Sequence, residues 1–216
     1  MKLYYAPDAC SMASHICLEE TGVPYETYAV DTQRKEHKGP EYLRINKHGQ
    51  IPALAVDDTV IVENVAIQYY LASRYREARL KPMDLMGEAR WLSFISWMAS
   101  TVHVSAKHIT RTYIYTDDEA AHDSIRRVSR DSFWTYLVEI DRTLADNQWI
   151  LGDQFTTADA YVLPYLNGAI KFGMPVDDLA NLRAWQKRML NRKAVRVVLE
   201  REGNTLLAGA AVAGGV

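Results

Sequence analysis

Cysteine is scarce in this sequence: Cys10 and Cys17 are the only two among 216 residues. Two thiols cannot build a disulfide scaffold, and a chain of this length needs none. On one helix they would stand about 10.5 Å apart along its axis, beyond the roughly 7 Å that a disulfide's Cα atoms span. Both are therefore expected to be reduced, as in the cytoplasm. Long apolar runs are missing too. The longest, Leu206 to Ala213, has eight residues and is mostly Ala and Gly, against the ~20 of a membrane helix. The opening MKLYYAPDAC has no charged-then-apolar signal pattern. An excess of one charge is absent as well: 25 Lys and Arg face 27 Asp and Glu, a formal net charge of −2. Nothing here argues for a nucleic-acid or membrane partner. No HExxH, CxxC, GxSxG, P-loop or GxGxxG spacing occurs, so no metal or nucleotide site is expected.

What is present divides into two halves. All five tryptophans follow residue 90, whereas strand-like segments lie before residue 64. The first half reads β-α-β-α-β-β-α: a strand at 2–5, a helix at 11–21 stopped by Gly22 and Pro24, a strand at 25–30 and a short helix at 38–45. Apolar runs at 51–56 and 60–62 then join through Asp57-Asp58-Thr59 as a hairpin, before a helix from Asn64 to about Tyr75. The second half reads as all helix. Trp91, Phe94/Ile95, Met98 and Val102 repeat at three- and four-residue steps within 88–113. Thr116 to Glu119 and Thr156 to Asp159 both have capping-box spacing. Further helices are expected at 179–190 and 194–202. The joint falls in the charged stretch 74–87, broken by Pro82 and Gly87. The organisation is thus an α/β unit at 1–78, an all-helical unit at 87–203 and a loose tail at 204–216.

Four segments carry candidate chemistry. Cys10 follows a strand and a Pro-containing loop and opens a helix, where unpaired amides and the helix dipole favour a thiolate. It is equally readable as a small buried hydrophobe; Cys17, mid-helix beside Ile16 and Leu18, reads as packing. The segment His48-Gly49-Gln50-Ile51-Pro52 puts a proline at a strand start; a cis Pro52 would turn the Ile51 backbone outward for an extended peptide. Glu63-Asn64 is a second strand-to-helix junction. It reads either as a plain N-cap or as a site gripping an ammonium and a carboxylate. His103 and His108 are five apart, about 140° around a helix, and cannot face one metal.

Taken in this order, the segments resemble the bacterial beta-class glutathione S-transferases, over essentially the whole chain to about Gly203. MKLYYAPDACS resembles that class's opening, with Cys10 at its cysteine. Gly49-Gln50-Ile51-Pro52 resembles its cis-proline loop, Glu63-Asn64 its Glu-Ser pair, Ser100-Thr101-Val102-His103 its helix-four segment, and Phe155-Thr156-Thr157-Ala158-Asp159 its capping box. The resemblance implies a thioredoxin-like N-terminal domain, a helical C-terminal domain and a homodimer. It implies glutathione as co-substrate, held by Cys10, Lys35, Ile51, Pro52, Glu63, Asn64, Ser100 and His103. Cys10 and His103 would be catalytic, and a small electrophile would sit near Tyr113 and Tyr115. Three departures are visible. Asn64 replaces Ser, Ser96 stands where some relatives have Asn, and Val104 stands where many have Lys, which weakens the positive field at the thiolate. Asp8 would also oppose ionisation if it lay close. The implied activity is conjugation of glutathione to electrophiles, with thiol-disulfide or peroxide reduction through Cys10 also open. A non-enzymatic interaction or stress-regulatory role on the same fold is the alternative.

Overall fold

The computed structural model describes residues 1–207. Its first half runs β1 (Lys2–Tyr5), α1 (Ser11–Glu20), β2 (Glu26–Ala29), α2 (Pro40–Leu43), β3 (Ala53–Val56), β4 (Thr59–Val62) and α3 (Asn64–Arg74). The strands form one sheet in the order β2-β1-β3-β4. β1 pairs parallel to β2, with Leu3 opposite Thr27, and antiparallel to β3, with Leu3 opposite Leu54. β3 and β4 close a hairpin through Asp57-Asp58, and Asp57 takes a positive φ. Buried Leu3 and Leu54 meet Met12, Ile16, Ile67 and Leu71 from α1 and α3. This is the expected thioredoxin-like arrangement.

The second half contains α4 (Leu85–Trp97), α5 (His103–Thr110), α6 (Glu119–Thr143), α7 (Thr157–Lys171), α8 (Ala180–Asn191) and α9 (Lys193–Arg201). The periodicity predicts one helix over 88–113. The structure instead inserts a π-helical turn, Met98–Val102, between α4 and α5. Asp84 caps α4 by accepting from the Gly87 amide at 2.8 Å. Gly87 is needed there, because a Cβ would meet the Asp84 carboxylate at 2.6 Å. The predicted box at Thr116 is not formed. Asp118 is the cap and accepts from Ala120, while Thr116 accepts from the Asp118 amide. The Thr156 box is formed, with Asp159 returning a bond to the Thr156 amide.

α7 is the central helix of this half and packs against α1. Trp91 donates to Thr157, and Trp185 to Asp159, each at 2.9 Å. Between the halves, Arg192 grips Glu20 with two hydrogen bonds and lies 3.8 Å over the Phe155 ring. His15 and Glu202, both fully buried at their side chains, pair at 2.7 Å. The expected loose tail does not begin at 204: Asn204 and Leu206 are buried. Residues 208–216 of that tail lie outside the described residues. Among the described residues no helix is long and apolar enough to cross a membrane.

Candidate active site

Cys10 sits at the end of the loop that leaves β1. Ala6 accepts from the Ala9 amide at 3.2 Å, and the Ser11 hydroxyl bonds both Ala6 backbone groups at 3.1 Å. Helical backbone thus begins before α1 proper, and Cys10 itself is already right-handed helical. The amides of Met12 and Ala13 go to the carbonyls of Ala9 and Cys10. They are therefore not left over to stabilise a sulfur anion. The Cys10 thiol instead donates to the Ile51 carbonyl at 3.7 Å.

The Ile51-Pro52 peptide is cis. Its loop is pinned from below: Tyr42 and Asn46 both donate to the Gln50 carbonyl at 2.8 Å, and Lys38 donates to Gly49 at 2.7 Å. Gly49 has a positive φ, and a Cβ there would come within 2.7 Å of the His37 carbonyl. The Ile51 amide has no acceptor among the described residues. It offers an extended peptide one donor.

Asn64 joins the site in a way the sequence does not show. Its side chain is buried, accepting from Ser14 at 2.6 Å and donating to the Cys10 carbonyl at 3.1 Å. It ties α3 to α1 and is not open to a ligand. What faces outward is the exposed Glu63 carboxylate, with the first-turn amides of α3 beside it.

Burial pushes the Cys10 thiol up to about 11. Hydrogen bonding to Asn64 and the charge of Arg111 pull the other way, and Glu63 adds to the rise. Burial is the largest of these influences, and it favours the thiol over the expected thiolate. His103 is held down to about 4, first by burial and then by Lys107 and Arg111, so it is a neutral imidazole and not a cation. Its ring lies 5.7 Å from that of Tyr165. Tyr5 turns inward, its ring tilted against that of His15 at 4.9 Å, away from this chemistry.

The structure brings Cys10, Ile51, Pro52, Asn64 and Glu63 together. Lys35 is exposed on a left-handed turn with no bond to the others. Ser100 and Tyr115 border a different concavity of about 560 Å³ between α5 and α6, with His108 and Tyr136. Tyr115 lies 4.0 Å from His108, and Tyr113 is 65% exposed. His103 does not line that cleft, as its 140° offset from His108 dictates. Three further residues join the Cys10 site: Arg111, and the buried Tyr161 and Tyr165 of α7, whose phenols interact electrostatically with Cys10. Tyr161 and Tyr165 are four apart and so were visible as a helical stripe, whereas Arg111 caps the end of α5 in a non-helical conformation. Asp8 does not oppose Cys10. Its carboxylate is bonded to Asn167, Asn204 and Lys171.

Comparison with known proteins agrees with this geometry. The family model for the glutathione S-transferase N-terminal domain matches residues 1–73, and that for the C-terminal domain matches residues 130–193. Glutathione S-transferase GstA of Escherichia coli O157:H7 is 32% identical over 206 residues, covering 94% of this chain and 99% of that protein. Among solved structures, a glutathione transferase homologue from Sulfitobacter with bound glutathione superposes with a TM-score of 0.88. It is 26% identical and covers 93% of this chain and 97% of that one. The bacterial beta-class glutathione S-transferase of Sphingomonas chungbukensis superposes with a TM-score of 0.82. Its identity is 30%, over 94% of this chain and 99% of that one.

Proposed function

Because this chain belongs to the glutathione S-transferase family and is a glutathione transferase, we propose that Cys10 serves conjugation as a hydrogen-bond donor and not as the nucleophile. Glutathione lies extended, its cysteinyl backbone paired with Ile51 beside Pro52. Glu63 takes the γ-glutamyl ammonium, and the Asn64 to Ala66 amides take its carboxylate. The glutathione sulfur then arrives at Cys10. A thiol that stays protonated at neutral pH turns its S–H from the Ile51 carbonyl to the incoming sulfur anion. His103, neutral, accepts the glutathione thiol proton, and Arg111 supplies the positive field expected of a Lys at 104. The thiolate attacks an electrophilic carbon; a carbon–sulfur bond forms and the leaving group departs with its electron pair.

One observation carries this reading: the Cys10 Sγ is aimed at Ile51 at 3.7 Å in a site that favours the thiol. Peroxide or disulfide reduction is the second reading, supported by the same proximity to an incoming sulfur. Cys17 is fully buried and cannot resolve a mixed disulfide. Only a second glutathione would do so. Family membership decides for an enzyme over the interaction-module alternative. We further propose that residues 1–78 hold glutathione and 87–203 the electrophile, and that Lys35 and Ser100 complete the site only in a homodimer or on loop closure. Exposed apolar side chains on α3 and α4 support the dimer: Tyr69, Met86, Leu92 and above all Leu85, which is 85% exposed.

Conjugation of 1-chloro-2,4-dinitrobenzene tests the chemistry. His103→Phe is expected to lower kcat/KM by about 10²-fold, while Cys10→Ser, which keeps a donor, retains most of it. Cys10→Ala, which has no donor, is expected to lose most conjugation; conjugation left intact with reductase activity lost would make Cys10 a redox centre only, the second reading. Undetectable turnover together with no calorimetric binding of glutathione would end both.

A further inference from the structure

We infer that Asp8 is a positioning residue for Cys10, a role that rests on the chemistry proposed above. Asp8 is the third residue of the Ala6–Ala9 turn and has a φ of 61°. Pro7 precedes it and cannot itself take a positive φ. A turn closed by the Ala9-to-Ala6 bond with only its third residue left-handed is type II, in which glycine is the residue that sits without strain. Here an aspartate holds the corner, and its carboxylate accounts for that. One oxygen accepts from Asn167 of α7 at 3.1 Å and from Asn204 at 2.7 Å; the other pairs with Lys171 of α7 at 2.6 Å. Asn204 is itself fixed, donating its amide to Leu199 and accepting from Leu206. The turn is therefore clamped at its corner by two elements of the C-terminal half. Its other end is clamped at Ala6 by Ser11.

Cys10 directly follows this turn, two residues after Asp8, and has no other loop of its own to absorb movement. The distance from its sulfur to the Ile51 carbonyl, and so to the docked glutathione sulfur, is set by where the corner is held. This explains why a charged residue is tolerated so near a sulfur that must meet an anion: the carboxylate is engaged by Lys171, Asn167 and Asn204 and does not act on the Cys10 thiol.

Two variants separate the carboxylate from the backbone. Asp8→Gly adopts the left-handed corner without strain and removes all three bonds. Asp8→Asn keeps an oxygen for Asn167 and Asn204 and loses only the charge toward Lys171. The measurements are kcat and KM for glutathione with 1-chloro-2,4-dinitrobenzene, the rate of Cys10 alkylation by iodoacetamide without glutathione, and the melting temperature. Asp8→Gly is expected to lower kcat about tenfold, to leave the glutathione KM nearly unchanged and to speed Cys10 alkylation. Asp8→Asn restores most of both, and Asn204→Ala shifts both in the Asp8→Gly direction by less. Asp8→Gly with parental kcat and alkylation rate, or with a change confined to melting temperature, overturns the inference and leaves the proposed function standing. A parent protein that neither binds nor conjugates glutathione overturns both.

Discussion

Cys10 shows how two correct physical principles can compete at one atom. The helix start was legible from Pro7, Cys10 and the apolar run that follows. The depth of the sulfur was not, because burial is a property of the whole packing. Cys10 is half-buried, and that burial outweighs the opposing influences and pushes the thiol up to about 11. Iodoacetamide alkylation of Cys10 should therefore climb about tenfold per pH unit from pH 7 to 9 with no plateau. Arg111→Ala should slow it further, since that charge pulls the thiol down; a plateau below pH 8 would contradict this. His103 gives a second prediction with the sign fixed by its lowered value of about 4. As pH falls below 6.5 the unfolded chain takes up a proton that the folded one refuses until about 4. Stability contributed by the neutral ring is thus lost between those values. The melting temperature of His103→Gln should fall less than the parent's between pH 7 and 5, and parallel curves would count against a neutral His103.

Among the elements, the helix after Phe155 was the most legible. Thr156 and Asp159 carry reciprocal caps, and both bonds are present. Asp159 does more than its spacing announces: its fully buried carboxylate also accepts from the Ile150 amide and the Trp185 indole. Asp159→Ala strands donors from three segments and should cost about 3 kcal/mol or more, at about 1 to 3 kcal/mol for each unpaired buried group. Urea denaturation reads this directly, and a loss below about 1 kcal/mol would mean that the donors find other partners. The same spacing at Thr116 failed because the closer Asp118 reaches its own helix amides first. The π turn at Met98–Val102 was invisible for a different reason. Apolar residues at three- and four-residue steps tolerate one extra residue, so the pattern cannot show which turn is widened. That turn decides which stripe of α5 faces Cys10. His103 was found through the resemblance of its segment, whereas Arg111, at the cap just past the end of α5, belonged to no quoted motif.

Taken as one body, the two halves are clasped at sites distant in sequence: Glu20 with Arg192, His15 with Glu202, and Asp8 with α7 and Asn204. None of these pairings was legible, since each joins residues more than 150 positions apart. Burial and the nearby Asp8 raise the Glu202 carboxyl. A raised carboxyl stabilises most where both states hold the proton, and that stability is lost as pH rises above the ordinary carboxylate range. Glu202→Gln should therefore flatten the decline in melting temperature from pH 5 to 8; an unchanged slope would exclude Glu202 as its source. The apolar face led by Leu85 makes the chain's assembly testable by sedimentation. Leu85→Glu with Met86→Glu should convert a two-chain species to one chain, and a parent that sediments as a single chain would refute the dimer. The most direct measurement remains a crystal structure of the protein with glutathione. The cysteinyl backbone should pair with Ile51 and the sulfur should rest against Cys10, with Glu63 at the γ-glutamyl end. A tripeptide bound elsewhere, or a sulfur turned away from Cys10, would contradict the proposed chemistry.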